Sequence, residues 1–370
     1  MQPNVIVIVM AHQSVNSLRG IGSNLRPSLP RNGAQFALMK KFIHVRGKEK
    51  GISLDAFRRR HTACPPVAIP SLGREDKLCL QTLTLLRYYK WDMSRVHVFI
   101  DPQARREDGS MEYDLYWRYM KENSFEEVNL HPGGHGLCNQ YNRIFEFFAA
   151  ESQLVVMSDT VPEIVMRRKR SWDMEQLPQK DLQPLVSLAF ALCRRMNLRT
   201  WSLGACKSAK NMQPGIISRK CGLLDGNFFG VDMTQTPRIQ LDHSGYTTDV
   251  EFSVKAWAAD GGMIRFSGIS AAHEYRASGG HSRSTTDAQA ARAKDTDASL
   301  KRLAKEYPRL LRFVEDKSCS HRGMKCKFRP IGPKPWRLFG TYSMRGRPTS
   351  AKKRPLSVAE RVKKHRELHG

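Results

Sequence analysis

Leu154-Val155-Val156-Met157-Ser158-Asp159-Thr160 is the stretch on which the fold turns. Four apolar residues in a row suit a strand buried on both faces, and a carboxylate directly after such a strand stands where α/β sheets gather their ligands. Towards the N-terminus, Val96-His97-Val98-Phe99-Ile100 repeats the arrangement and ends on Asp101-Pro102, and Pro66-Val67-Ala68-Ile69-Pro70-Ser71 gives a third buried strand. Between them lie helical patterns: residues 75–89, with Leu78, Leu80, Leu83, Leu85 and Leu86, then 111–121, then a segment from the turn Gly133-Gly134-His135-Gly136 through Phe148. A short strand is expected at 127–130. This alternation predicts an α/β fold, a Rossmann-type mixed, mainly parallel sheet flanked by helices. Ser71 to Arg74, Asp101 and Asp159 fall at its strand ends.

Downstream, residues 184–196 read as a buried helix, and 200–203 and 227–231 as strands. A helix over 249–259 is stopped by Asp260-Gly261-Gly262, with a strand at 263–266 after it. Residues 270–297, rich in Ala, Ser, Gly and Thr, are expected to be in part a mobile loop, and 300–311 a helix. No internal repeat is present.

The 370 residues carry 61 Lys+Arg against 35 Asp+Glu, a formal charge of +26. Residues 1–65 and 334–370 each hold 11 basic and 2 acidic residues, so the two ends supply +18 of that excess. The expected organisation is a poorly ordered basic segment over 1–64, a globular domain over 65–333 and a basic flexible tail over 334–370. Such a balance calls for an acidic partner, nucleic acid first and an anionic membrane surface second. The apolar run Val5 to Ala11 is too short to span a bilayer, which takes about 20 residues, and no basic residue precedes it as in a secretory signal. Eight cysteines without paired spacing suit a reducing, intracellular compartment, and Cys319, His321 and Cys326 lack the second pair of a zinc site.

Each candidate has a plain structural alternative. Asp159 can offer oxygen to a divalent metal or merely turn the chain. Asp249 can act as a general base, but Thr248 and Glu251 around it also fit a capping box. Gly133-Gly134-His135 and Gly279-Gly280-His281 can bring backbone N–H groups to phosphate or simply form turns. Arg167-Arg168-Lys169-Arg170, with Trp172 beyond it, and Lys352-Lys353-Arg354 can contact nucleic acid or form a solvated surface.

Taken in order, these segments resemble one family. Ile69-Pro70-Ser71-Leu72-Gly73-Arg74, Gly136-Leu137-Cys138-Asn139-Gln140-Tyr141-Asn142, Val155 to Thr160, Asp242 to Glu251, Trp257 to Phe266 and Tyr275 to Gly280 follow the motif order of the TET-associated glycosyltransferases. These are GT-A-like enzymes that include the base J glucosyltransferase. The resemblance spans residues 66–330. It implies a nucleotide-sugar-dependent hexosyltransferase, with UDP-glucose as donor and a hydroxymethyl-pyrimidine in DNA as acceptor, acting inside the cell where DNA lies. It assigns Arg74, Asp101 and Asn142 to the nucleotide, Mg²⁺ or Mn²⁺ to Asp159, and the base role to Asp249. Two positions depart from the family pattern. Asp159 stands alone between Ser158 and Thr160 where the family has two or three Asp, and Tyr141 stands where an Arg precedes the helix Asn. The alternative these departures raise is a DNA-binding protein that keeps the fold with weak or no transferase activity.

Overall fold

The computed structural model describes residues 43–46, 49–53, 64–106, 108–167, 173–204, 211–242, 247–272, 286–315, 324–328 and 336–339. In chain order the strands are β1 (Ile43–Arg46), β2 (Glu49–Ser53), β3 (Val67–Ser71), β4 (Val96–Ile100), β5 (Asn129–Pro132) and β6 (Gln153–Met157). Then come β7 (Glu163–Arg167), β8 (Met174–Gln176), β9 (Thr200–Leu203), β10 (Ile216–Ser218) and β11 (Phe228–Asp232). The last are β12 (Ile264–Phe266), β13 (Ile269–Ala272), β14 (Leu311–Glu315), β15 (Met324–Phe328) and β16 (Trp336–Phe339). The longer helices are α1 (Glu112–Glu122), α2 (Gly136–Phe147), α3 (Leu182–Met196), α4 (Thr248–Asp260) and α5 (Thr286–Glu306).

Eleven strands form one mixed sheet in the order β1-β2-β16-β10-β12-β9-β11-β6-β3-β4-β5. Its parallel block is β6-β3-β4-β5, built from the apolar runs that the sequence marks out. β11 lies antiparallel to both β6 and β9. The alternation along each strand divides the core between two helical layers. Val67, Ile69, Val96, Val98, Val155 and Met157 face one side, where Tyr116 and Met120 of α1 and Leu185 and Leu188 of α3 pack. Ala68, Phe99, Leu154 and Val156 face the other, against Ile144 and Phe145 of α2, Phe252 and Trp257 of α4 and Leu303 of α5. Burying one such side chain contributes about 1.5–3 kcal/mol, so the central strands are anchored from both faces.

Three findings differ from the sequence expectation. The sheet reaches past the expected limits of 65 and 333: β2 pairs with β16, which in turn pairs with β10. Residues 43–46, 49–53 and 336–339 thus belong to the fold; apart from Cys64 and Pro65, the rest of both charged ends lies outside the described residues. Residues 286–297, within the stretch 270–297 expected to be in part a loop, are helical, in keeping with their Ala content (Ala288, Ala290, Ala291 and Ala293). The helix expected over 75–89 is a composite: Glu75–Lys77, a π-helical Leu78–Leu83 and Thr84–Tyr88. Thr84 closes the π turn on Cys79 O, which accepts its backbone N–H and, at 2.7 Å, its Oγ1 proton. Among the described residues no helix is long and apolar enough to cross a membrane.

Candidate active site at the strand ends

The parallel block delivers its carboxyl ends to one rim. Val67 lies opposite Val155 and Ala68 opposite Val156. Carried three residues further, that register sets Ser71 beside Asp159. Pro70 has no N–H to offer β6, and the β3–β6 ladder has ended by then. The side chains take over: Ser71 Oγ donates to Asp159 Oδ2 at 2.6 Å, and Arg74 Nη1 donates to Oδ1 at 3.2 Å. Tyr116 OH lies 2.7 Å from Ser71 Oγ and accepts the Arg74 N–H at 2.8 Å. Ser71 has one proton and it goes to Asp159, so the Tyr116 hydroxyl donates to Ser71. Glu112 Oε2 accepts the Gly73 N–H at 2.7 Å, holding a turn in which Gly73 takes a left-handed φ of +61°. From the π-helical segment, Thr82 Oγ1 donates to Ser158 O at 2.9 Å and accepts from Val161 N at 3.0 Å, clamping the chain on both sides of Asp159. Burial pushes the Asp159 carboxyl up, while the Arg74 charge and the Ser71 hydrogen bond pull it down.

Asp101 and Asn142 are engaged in holding the chain. At the end of β4, Asp101 Oδ1 accepts the Gln103 N–H at 2.9 Å and Oδ2 lies 2.8 Å from His135 Nδ1. The carboxylate is buried and the imidazole almost fully exposed, so Asp101 orients a histidine presented to solvent. The Asn142 amide clamps the backbone of Leu241, donating to its carbonyl at 2.8 Å and accepting its N–H at 2.9 Å. Neither arrangement leaves the side chain directed at a nucleotide as the resemblance implies. Gly279-Gly280-His281, Arg168 to Arg170, Trp172 and Lys352 to Arg354 lie outside the described residues.

A second group of acids meets the same rim from the antiparallel strand. Because β11 runs against β6, its amino end adjoins the carboxyl end of β6, and Ser158 N donates to Asn227 O at 3.1 Å. Asp225, Gly226 and Asn227 form the turn that enters β11. Asp225 Oδ1 accepts from Asn227 Nδ2 at 2.6 Å and from Asn227 N at 3.2 Å. Its Oδ2 is buried and finds no hydrogen-bond partner among the described residues. The Asp249 carboxylate packs directly on Gly226, where a Cβ would stand 2.3 Å from Oδ1, so only glycine allows this approach. The pair is held in place through Ser253, whose Oγ accepts the Leu224 N–H at 2.8 Å and donates to Asp249 O at 2.5 Å.

Burial dominates the electrostatics here. It pushes Asp249 up to about 6, against a hydrogen bond from the Gly226 backbone. It pushes Asp225 up to about 8, with the Asp249 charge adding to the rise and Asn227 opposing it. No cation contributes to either shift. Tyr141 of α2 is buried beside these acids, and the charges of Asp249, Asp225 and Asp159 all add to the rise of its phenol. The two carboxylates and the Asp159 end of β6 thus lie around one buried ring. The helix begins one residue earlier than the Thr248–Glu251 capping box implies: Thr247 is the N-cap, without a side-chain cap bond, and Glu251 Oε1 takes the Asp242 N–H at 2.7 Å and Lys255 Nζ at 2.8 Å.

The divalent metal expected at Asp159 does not fit this geometry. Both carboxylate oxygens already accept, one from a guanidinium. Among the described residues no three His, Cys, Asp or Glu side chains converge as a cation site. Mg²⁺ and Mn²⁺ prefer six oxygen-rich ligands, and an ion at Asp159 would have to sit against Arg74 or displace it.

Asp225, Thr82, Tyr116 and Ser253 went unmarked in the sequence. Asp225-Gly226 does carry a turn signal, but it precedes a strand, and only the ends of strands had reason to be searched.

No family model matches the chain, and no curated protein matches it. Solved structures similar to it include glycosyltransferases. Glucosyl-3-phosphoglycerate synthase from Mycobacterium tuberculosis, in complex with Mn²⁺ and UDP-glucose, is 9% identical over 80% of this chain and 95% of that one, with a TM-score of 0.39. The same synthase with Mn²⁺, UDP and glucosyl-3-phosphoglycerate is 10% identical over 77% and 92%, with a TM-score of 0.37. A mannosyltransferase from Pyrobaculum calidifontis, in complex with GDP-Man and Mn²⁺, is 9% identical over 68% and 70%, with a TM-score of 0.35. At these values the similarity carries no argument about donor, acceptor or metal in this chain.

Proposed function

We propose that the chain is a glycosyltransferase that moves a sugar from a nucleotide sugar onto an acceptor hydroxyl, with Asp249 as the general base. The observation that carries this is the pair of cation-free carboxyls, Asp225 buried and Asp249 half-buried, set around Gly226 at the sheet rim. A base works best with a pKa near the working pH, and burial brings Asp249 to about 6. Burial pushes Asp225 up to about 8, so near neutral pH it adds little negative charge beside Asp249. The acceptor hydroxyl can then donate to the half-exposed Asp249 carboxylate. As Asp249 takes the proton, the hydroxyl oxygen forms its bond to the anomeric carbon, and the bond from that carbon to the diphosphate breaks with the electron pair leaving on phosphate. General base assistance of this kind is worth ~10²–10⁴-fold.

The finer assignment is UDP-glucose as donor and a hydroxymethyl-pyrimidine of DNA as acceptor. The charge of +26, with +18 in the two ends, supports a polyanionic acceptor, since phosphate contacts are made by Lys and Arg without regard to sequence. A hydroxymethyl group on a base edge calls for a flipped or unpaired base. One observation favours the second reading, a DNA-binding protein with weak transfer: the Arg74–Asp159 pair occupies the carboxylate expected to hold metal.

Incubation with labelled UDP-glucose and DNA containing hydroxymethyluracil or hydroxymethylcytosine tests the assignment. Label is expected in the DNA with the native chain and lost with Asp249→Asn. DNA binding without label in any buffer, with or without Mn²⁺, would establish the second reading.

A further inference from the structure

We infer that Arg74 supplies, at the carboxyl end of β3, the positive charge that faces the leaving diphosphate, and that Asp159 is a positioning residue for this guanidinium and not a metal ligand. The inference rests on the transferase reading for the identity of the ligand, a nucleoside diphosphate.

Asp159 is 4% exposed, and every side-chain partner of its carboxylate among the described residues is a donor: Ser71 Oγ on Oδ2, and Arg74 Nη1 with a longer Ser158 Oγ contact of 3.5 Å on Oδ1. Donors on both oxygens suit an ionised carboxylate whose charge is answered inside the protein. The arrangement is built from four segments. β3 gives Ser71, the turn after it gives Arg74, α1 gives Tyr116 and the π-helical segment gives Thr82. Among the described residues Arg74 is held by its backbone N–H on Tyr116 and by its side chain on Asp159. Its side chain is nonetheless 14% exposed, so the guanidinium is held in place without being sealed off. A planar guanidinium matches phosphate oxygens with two parallel hydrogen bonds, and it stays charged at any working pH. A divalent ion would do the same electrostatic work only by entering beside that cation.

Calorimetric titration of the full chain with UDP, once in EDTA and once in Mn²⁺, tests this on the native protein and on Arg74→Lys, Arg74→Met and Asp159→Asn. The native protein is expected to bind UDP with affinities agreeing within about twofold in the two buffers. Arg74→Met should weaken UDP by about tenfold or more in both, as loss of a charged hydrogen bond does, with Arg74→Lys in between. Asp159→Asn should weaken UDP in both buffers alike, a pattern that separates positioning from metal binding. Binding that appears only with Mn²⁺ and loses its Mn²⁺ response in Asp159→Asn would overturn the inference while leaving the transferase reading intact. Native protein that binds UDP in neither buffer would remove the donor site itself, and the inference with it. Should Arg74→Met fail to fold, the buffer comparison on the native protein and the Arg74→Lys titration decide the matter.

Discussion

Two acidic centres share the rim of the sheet and are treated in opposite ways. At the end of β6, Asp159 is answered by Arg74, Ser71 and, through Ser71, Tyr116. At the entrance to β11, Asp225 is buried and Asp249 half-buried, with no cation answering either. A buried carboxylate with a paired cation is a fixed charge; one without a partner is a group whose proton is easily moved. The first centre therefore holds geometry and charge, and the second is suited to proton transfer. Residue type alone does not separate them, since all three are aspartates at the rim of the same sheet.

The largest way to break this comparison is Asp249→Asn. Transfer should fall by ~10²–10⁴-fold, the worth of general base help, while UDP binding stays within a few-fold of native. A loss confined to binding, with turnover unchanged, would move Asp249 from the base role to the substrate pocket.

Next is the paired centre. Arg74→Met leaves Asp159 buried and unanswered, and breaking a buried pair in this way costs about 3–5 kcal/mol of stability. Denaturant unfolding should show a lower midpoint with an unchanged slope. A native-like midpoint would mean that solvent reaches Asp159 freely.

Gly226→Ala sharpens the other side. Its Cβ would fall 2.3 Å from Asp249 Oδ1, so the carboxylate must move. A cost of about 1–3 kcal/mol is expected, as for other overpacked sites, with transfer lost out of proportion to stability. Equal losses would show that the position matters for packing alone.

A further test is on pH dependence. The folded pKa of Asp225, about 8, lies above its unfolded value of 3.8. The stability it contributes is therefore fully present below pH 3.8 and declines as pH rises through 8. Asp225→Asn removes that decline. The melting temperature of the variant should match the native one in acid and exceed it progressively up to pH 9. A constant difference between the two would mean that Asp225 ionises normally.

The parallel half of the sheet was legible because its strands are buried on both faces. Val96 to Ile100 and Leu154 to Met157 are continuous apolar runs, and each ends on the carboxylate that reaches the rim. Asp249 was legible as a carboxylate at a helix start. What the sequence concealed is partnership. Nothing in Asn142 announces that it holds Leu241, some hundred residues away in sequence, and nothing in Asp159 announces Arg74. Both depend on strand register, which one strand alone does not reveal. Asp225 was hidden for a topological reason, since its strand runs antiparallel and meets the rim by its amino end. The strands over 43–53 and 336–339 lie within strongly basic ends, whose composition pointed to solvated arms.

The central claim, that Asp225 and Asp249 form a cation-free pair able to exchange a proton near neutral pH, is tested most directly by carboxyl-carbon NMR titration of the selectively labelled chain, with Asp225→Asn and Asp249→Asn assigning the two signals. Midpoints near 8 for Asp225 and near 6 for Asp249 are expected, with the Asp225 midpoint falling in Asp249→Asn as the neighbouring charge disappears. Both carboxyls titrating close to 3.8 would contradict the account, because such groups are solvated or paired and have no proton to manage at neutral pH.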